Sequence, residues 1–238
     1  MKNNWKNIWE KRSADEKILK MEDNKQIFLE LKRSNGFDIL EGGLSYEAFY
    51  EQKNEMIRML SNNNERKLSS IYEVGCGSGA NLFLFEQDGI SVGGADYSSS
   101  LISIAKKVLK SKDIVCNEAI EISEMPQYEA VLSNGVFHYF QDEEYALGVL
   151  EKMYKKAAYS IGIIDVHDRN KKEDFIAYRK KISPNYEEEY KNLPKLFYQR
   201  EFFEKFAKEH QMDICFTESH MKGYWNNEFI FNCYMYKK

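Results

Sequence analysis

Several protein classes are excluded by what this 238-residue chain lacks. It has only three prolines and no proline-rich or glycine-serine tract, so a long disordered linker is not expected. Its four cysteines, Cys76, Cys116, Cys215 and Cys233, show no C-x-x-C spacing, which argues against a disulfide framework and against a zinc site. No apolar run is long enough to span a bilayer, and the charged N-terminus lacks the apolar core of a signal peptide. The expected setting is therefore the cytoplasm, with no membrane partner. Excess positive charge is absent too: 34 Lys and Arg against 38 Asp and Glu leave a net −4, so a nucleic-acid partner is not expected. What the chain does have is 43% hydrophobic and 14% aromatic residues, enough for one substantial core.

From residue 69 onward, apolar strands alternate with amphipathic helices, the pattern of a doubly wound α/β sheet. Strands are predicted at 70–74, 90–95, 113–116 and 128–133, with a fifth near 159–164. Residues 167–198, rich in Lys, Glu and Tyr, break the alternation and read as a substrate-side insertion. A helix resumes at Glu201 to Glu209, and two β-rich segments, Met212 to Thr217 and Phe229 to Tyr236, read as an antiparallel pair. Residues 1–68 form a helical extension before the main domain, residues 69–238. Within it, Trp5, Ile8, Trp9 and Arg12 share one helical face, either as a lid or simply docked on the domain. Ser45 is placed to cap a helix running toward Leu60.

The most informative stretch is Glu73-Val74-Gly75-Cys76-Gly77-Ser78-Gly79, where the first strand gives way to a helix. Its glycines permit a tight turn and remove the Cβ atoms that would keep a ligand from the backbone. Asp96 closes the next strand, where a carboxylate can accept two hydrogen bonds from a ribose diol. The G-x-G-x-G spacing, the acid two residues before it and the lack of a basic neighbour disfavour a pyrophosphate-binding dinucleotide site.

The motif resembles the first motif of class I S-adenosylmethionine (SAM) methyltransferases. The resemblance implies a Rossmann-like sheet of about seven strands with an antiparallel strand at the edge. It implies SAM as cofactor and S-adenosylhomocysteine as product, with Glu73, Gly75, Cys76, Gly77 and Gly79 at the methionine half and Asp96 at the ribose. It further places Tyr97, Asn117, Glu118 and Ala119 along the adenine, and Ser133 and Asn134 near the methionine moiety. The W-x-x-x-W-E-x-R start and Phe137-His138-Tyr139-Phe140 are similar to bacterial small-molecule methyltransferases. Their implied acceptors are hydroxyls or amines of sugars and other metabolites, some in surface-polysaccharide pathways.

Methyl transfer to a hydroxyl needs a proton acceptor but no metal and no covalent nucleophile. His138 is the first candidate base, with a helix cap or core histidine as the structural alternative. Asp165 and His167, at the end of the fifth strand, are the second, with a solvated strand end as theirs. Candidate acceptor-binding residues are Arg12, Tyr46, Tyr139 and Tyr198, the tyrosines having core packing as the alternative. The expected function is methyl transfer from SAM to a hydroxyl of a small polar metabolite, with a sugar or nucleotide-sugar leading. N-methylation of an amine or amino sugar is one alternative, and a non-catalytic SAM-binding partner or regulator is the other.

Overall fold

The computed structural model describes every residue except 1–4, 15, 38 and 40–42. The helices, in chain order, are α1 (Trp5–Trp9), α2 (Asn24–Ser34), α3 (Tyr46–Leu60), α4 (Ala80–Gln87), α5 (Ser99–Val108), α6 (Glu143–Lys156), α7 (Lys172–Ile182), α8 (Tyr186–Tyr190) and α9 (Arg200–Glu209). The strands are β1 (Ser70–Val74), β2 (Ser91–Asp96), β3 (Ile114–Cys116), β4 (Tyr128–Asn134), β5 (Ala157–His167), β6 (Asp213–Glu218) and β7 (Ile230–Tyr236). They form one sheet in the order β3-β2-β1-β4-β5-β7-β6. The first five strands pair in parallel, and β7 runs antiparallel to both β5 and β6.

Strands covered on both faces need apolar residues pointing both ways, and β4 illustrates the arrangement. Ala130 and Leu132 enter the core under α2, α3, α4 and α5, while Val131 enters the core under α6 and α9. The same alternation puts Ile71 and Tyr72 of β1 into opposite cores. Ser45 caps α3, its side chain accepting from Ala48 N at 3.2 Å, an interaction typically contributing about 1 kcal/mol.

Two expectations are corrected. The antiparallel strand is not the edge: β7 lies between β5 and β6, and β6 is outermost. All seven residues of β7 are buried, which suits an inner strand, whereas β6 is half-buried and starts and ends exposed. The fifth strand also starts earlier than expected, at Ala157, and runs to His167 through an irregularity in its pairing with β7 between Ile163 and Val166. Asp165, inside that irregularity, has φ +60°, and its N–H donates to the Asn232 side chain at 3.1 Å in place of a ladder partner. This twist bears directly on the site.

Candidate active site

The strand order reverses between β1 and β4, and a cavity of about 1120 Å³ lies at the carboxyl ends of the strands around that point. One side of it is built by the glycine turn. Gly75 N and Cys76 N both donate to the Ala95 carbonyl, at 2.7 and 3.0 Å, which fastens the turn to β2. Gly77 N donates to Asp96 Oδ2 at 2.9 Å, and Ser98 N donates to Asp96 Oδ1 at 2.8 Å. Each carboxylate oxygen is thus oriented by one main-chain donor and retains a further lone pair.

Gly75 and Gly77 hold φ of +76° and +54°, where a side chain is strained. A Cβ at Gly75 would sit 2.4 Å from Val136 Cγ2, and one at Gly77 would sit 2.6 Å from Asn35 Oδ1. The space freed by these two glycines is therefore taken by the protein's own side chains rather than left for a ligand. Asn35 Oδ1 also accepts from Ser78 N at 2.8 Å, tying the end of α2 to the turn.

Glu73 is buried. Its Oε1 accepts from Asn81 Nδ2 at 2.6 Å, and Asn81 Oδ1 accepts from Lys32 Nζ at 2.9 Å. A carboxylate, an amide and an ammonium so form a row in the cavity wall. Burial pushes the Glu73 carboxyl up and the Lys32 ammonium down, each partly offset by the other's charge. Tyr97, Asn117, Glu118, Ala119 and Asn134 also line the cavity.

The opposite side joins residues far apart in sequence. The turn Phe137–Tyr139 after β4 and the end of β5 bring His138 and His167 into a stack, with ring centroids 4.2 Å apart and planes 7° from parallel. His138 Nδ1 is buried without a hydrogen-bond partner. The Asp165 carboxylate accepts from Tyr224 Oη at 2.5 Å and from Asn226 Nδ2 at 3.1 Å. Asn226 Nδ2 also lies 3.3 Å from His167 Nε2. Burial holds both imidazoles well below the usual histidine range and raises the Asp165 carboxyl. Both rings are accordingly neutral at neutral pH.

Nitrogen and oxygen atoms of His138, Asp165 and His167 approach within 4.8 Å of one another. The near-parallel rings keep their lone pairs in separate planes, and Tyr224 and Asn226 engage both Asp165 oxygens. That geometry suits proton handling better than a shared ion.

Among the described residues, four buried side-chain atoms lack a hydrogen-bond partner: Glu73 Oε2, His138 Nδ1, His167 Nδ1 and Asn226 Oδ1. All four belong to residues of this one cavity wall. Unpartnered buried polar atoms are costly, and their concentration here marks a place shaped for ligands.

Helix α1 covers the cavity, which Trp5, Ile8, Trp9 and Arg12 line. The helix ends at Trp9, so Arg12 lies beyond it rather than on its face as expected. Trp5 Nε1 donates to the Pro194 carbonyl at 2.9 Å, and Trp5 and Trp9 both meet the Tyr139 ring edge-on. Lys6 pairs with Glu118 at 2.9 Å.

Four residues expected at the site lie outside its wall. Tyr46 stacks on Tyr50 and meets Phe28 in the packing of α2 and α3. Tyr198 is fully buried among Phe137, Phe202 and Phe203, and its hydroxyl donates to the Phe137 carbonyl at 2.8 Å. Ser133 Oγ donates to the Val74 carbonyl at 3.0 Å between strands, and Gly79 packs against Leu109 and Ala105 at the start of α4. Conversely, Lys32, Asn35, Asn81, Arg179, Lys195, Tyr224 and Asn226 line the cavity without having been singled out from sequence. Only Asn81, just past the glycine turn, carried a local signal.

Residues 72–158 match the protein family described as a methyltransferase domain. A curated relative, malonyl-[acyl-carrier protein] O-methyltransferase from Priestia megaterium (strain DSM 319 / IMG 1521), is 28% identical over 121 residues, 48% of this chain. The match spans only 44% of that protein's length. Among solved structures, the plantazolicin methyltransferase BpumL with S-adenosylhomocysteine is 19% identical with a TM-score of 0.61, over 94% of this chain and 98% of that one. Magnesium protoporphyrin IX methyltransferase from Synechocystis PCC 6803 with bound SAM is 12% identical with a TM-score of 0.60, over 92% and 99%. CalS10, a SAM-bound amino pentose methyltransferase from Micromonospora echinaspora, is 9% identical with a TM-score of 0.61, over 81% and 96%.

Residues 72–158 thus resemble a methyltransferase domain, and the whole chain shares the fold of class I SAM-dependent methyltransferases. SAM is the cofactor of that class, and the cavity residues fit it. The orphaned Glu73 Oε2 and the Lys32 ammonium offer opposite charges to an amino acid's ammonium and carboxylate, and Asp96 offers oriented acceptors to a diol. No helix among the described residues is long and apolar enough to cross a membrane.

Proposed function

We propose that this protein transfers a methyl group from SAM to a hydroxyl of a small polar metabolite, with a sugar or nucleotide-sugar of a bacterial surface-polysaccharide pathway as the leading acceptor. The observation that carries the O-methylation reading is the unpartnered Nδ1 of a neutral His138 in the cavity wall. When bound, SAM supplies an electrophilic methyl group on a sulfonium. Glu73, Asn81 and Lys32 would hold its amino-acid end, Asp96 its ribose, and Tyr97 with Asn117 to Ala119 its adenine.

His138 Nδ1 would take the proton of the acceptor hydroxyl as the oxygen bonds to the methyl carbon and the carbon–sulfur bond breaks, with S-adenosylhomocysteine as the leaving group. Asp165, held by Tyr224 and Asn226, places a carboxylate beside the imidazolium that forms. The α1 tryptophans exclude water from above. The test is incubation with methyl-labelled SAM and a panel of nucleotide-sugars and amino sugars, followed by product analysis. Label retained as a methyl ether supports the reading; label on nitrogen, or no transfer by protein that binds SAM, refutes O-methylation.

A further inference from the structure

Beyond the histidine pair, the cavity contains two cations without a direct ion-pair partner among the described residues. Lys195 Nζ sits among three rings, 5.4 Å from the Tyr139 centroid, 5.6 Å from Phe175 and 5.8 Å from Trp5. The Arg179 guanidinium lies over Trp225 at 5.0 Å and over Tyr186 and Tyr190 at 5.4 Å, with Nη2 donating to Tyr190 Oη at 3.2 Å. The two cages share a wall, because the Trp5 and Tyr190 rings are 6.2 Å apart. Among the described residues, no carboxylate forms an ion pair with either cation, although twelve lysine or arginine ion pairs occur elsewhere among them.

Burial lowers the Lys195 ammonium to about 8; Asp165 acts to raise it, and Arg179 lowers it further. Two half-buried like charges, close enough for Arg179 to lower the Lys195 ammonium, favour a further negative group between them. The aromatic walls add cation–π attraction but no charge. In a chain of net charge −4, this is not a general basic surface.

We propose that the acceptor carries an anionic group, a carboxylate or a phosphate, that docks between Lys195 and Arg179. The inference rests on the methyltransferase reading of the cavity and specifies its substrate. A planar guanidinium can grip either group through two parallel hydrogen bonds, while the lysine supplies a point charge from the side of the histidine pair. The anchored group leaves a neighbouring hydroxyl facing His138.

The test is calorimetric titration of the full chain, saturated with S-adenosylhomocysteine, with malonate in one arm and inorganic pyrophosphate in the other. At least one anion is expected to bind, with affinity reduced about tenfold or more in Lys195→Met and in Arg179→Met, since each loses a charged hydrogen-bond donor. Affinity for S-adenosylhomocysteine should be unchanged in both variants, and Lys195→Arg should restore part of the anion binding, which a merely structural role would not. Preference for malonate assigns a carboxylate, and preference for pyrophosphate a phosphate. Binding of neither anion, or equal binding by wild type and folded variants, overturns the inference while leaving the cofactor reading intact. If S-adenosylhomocysteine itself does not bind, the methyltransferase reading fails, and the same titrations on the unliganded protein still decide the anion site.

Discussion

Under the proposed ribose assignment Asp96 ties ligand recognition to loop geometry, so two substitutions there separate the two roles. Its oxygens accept from Gly77 N and Ser98 N at 2.9 and 2.8 Å and leave lone pairs for a diol. Asp96→Asn keeps the shape and one acceptor oxygen but removes the charge and turns an amide donor toward one main-chain N–H. Losing one charge-assisted hydrogen bond costs about 1.5–3 kcal/mol, or roughly 10–150-fold in affinity. Asp96→Ala removes both acceptors and strands two main-chain donors, adding a stability loss of about 2–4 kcal/mol and a fall in melting temperature of about 4–16 °C. Calorimetric titration with S-adenosylhomocysteine beside thermal melts measures both quantities. The expected order is weak binding with modest destabilisation for Asn, and weaker binding with marked destabilisation for Ala. Wild-type affinity in folded Asp96→Asn would refute the ribose assignment.

Three further outcomes are expected. His138→Gln should keep S-adenosylhomocysteine affinity within about twofold while lowering kcat by about 10²–10⁴-fold; full turnover would remove His138 as base. The pH dependence of kcat/KM for the acceptor follows from the two shifts, because a base must be unprotonated and a lysine must be charged. His138 lies below its usual 6.5 and Lys195 near 8, with Asp165, His167, Tyr139 and Arg179 around them, so activity should still be high at pH 6.5 and decline above about pH 8. An acid limb centred above 6.5 in steady-state profiles would contradict the buried neutral imidazole. Gly75→Ala should destabilise the fold by about 2–4 kcal/mol, combining left-handed strain with the Val136 clash. Adding Val136→Ala should recover part of that loss in denaturant melts, and no recovery would mean the clash is not its source.

The glycine-turn side of the cavity was legible in sequence because it is local. One strand, one glycine turn and the next strand end bring Glu73, Gly75, Gly77 and Asp96 together, and each β–turn–α step leaves its own pattern of apolar spacing and turn residues. The histidine side is assembled by register. Asn134 pairs with Ile164 across β4 and β5, and only that pairing places His138 on His167. The irregularity at Asp165 bends the strand end inward, and nothing in Asp165-Val166-His167 announces it. Lys195 and Arg179 reach the cavity through the insertion, whose position depends on long-range contacts such as Trp5 to Pro194. Aromatic spacing was equally uninformative: Tyr139 faces the cavity, whereas Tyr46 and Tyr198 pack the interior.

The central claim is that the cavity at the β1–β4 reversal is a SAM site. Calorimetric titration of the purified protein with S-adenosylhomocysteine, with NADH in a parallel cell, tests it most directly. The account predicts saturable one-to-one binding of S-adenosylhomocysteine, weakened in Asp96→Asn, and no heat of binding from NADH. Binding of NADH instead, or no binding of S-adenosylhomocysteine by folded protein freed of carried-over ligand, would contradict it.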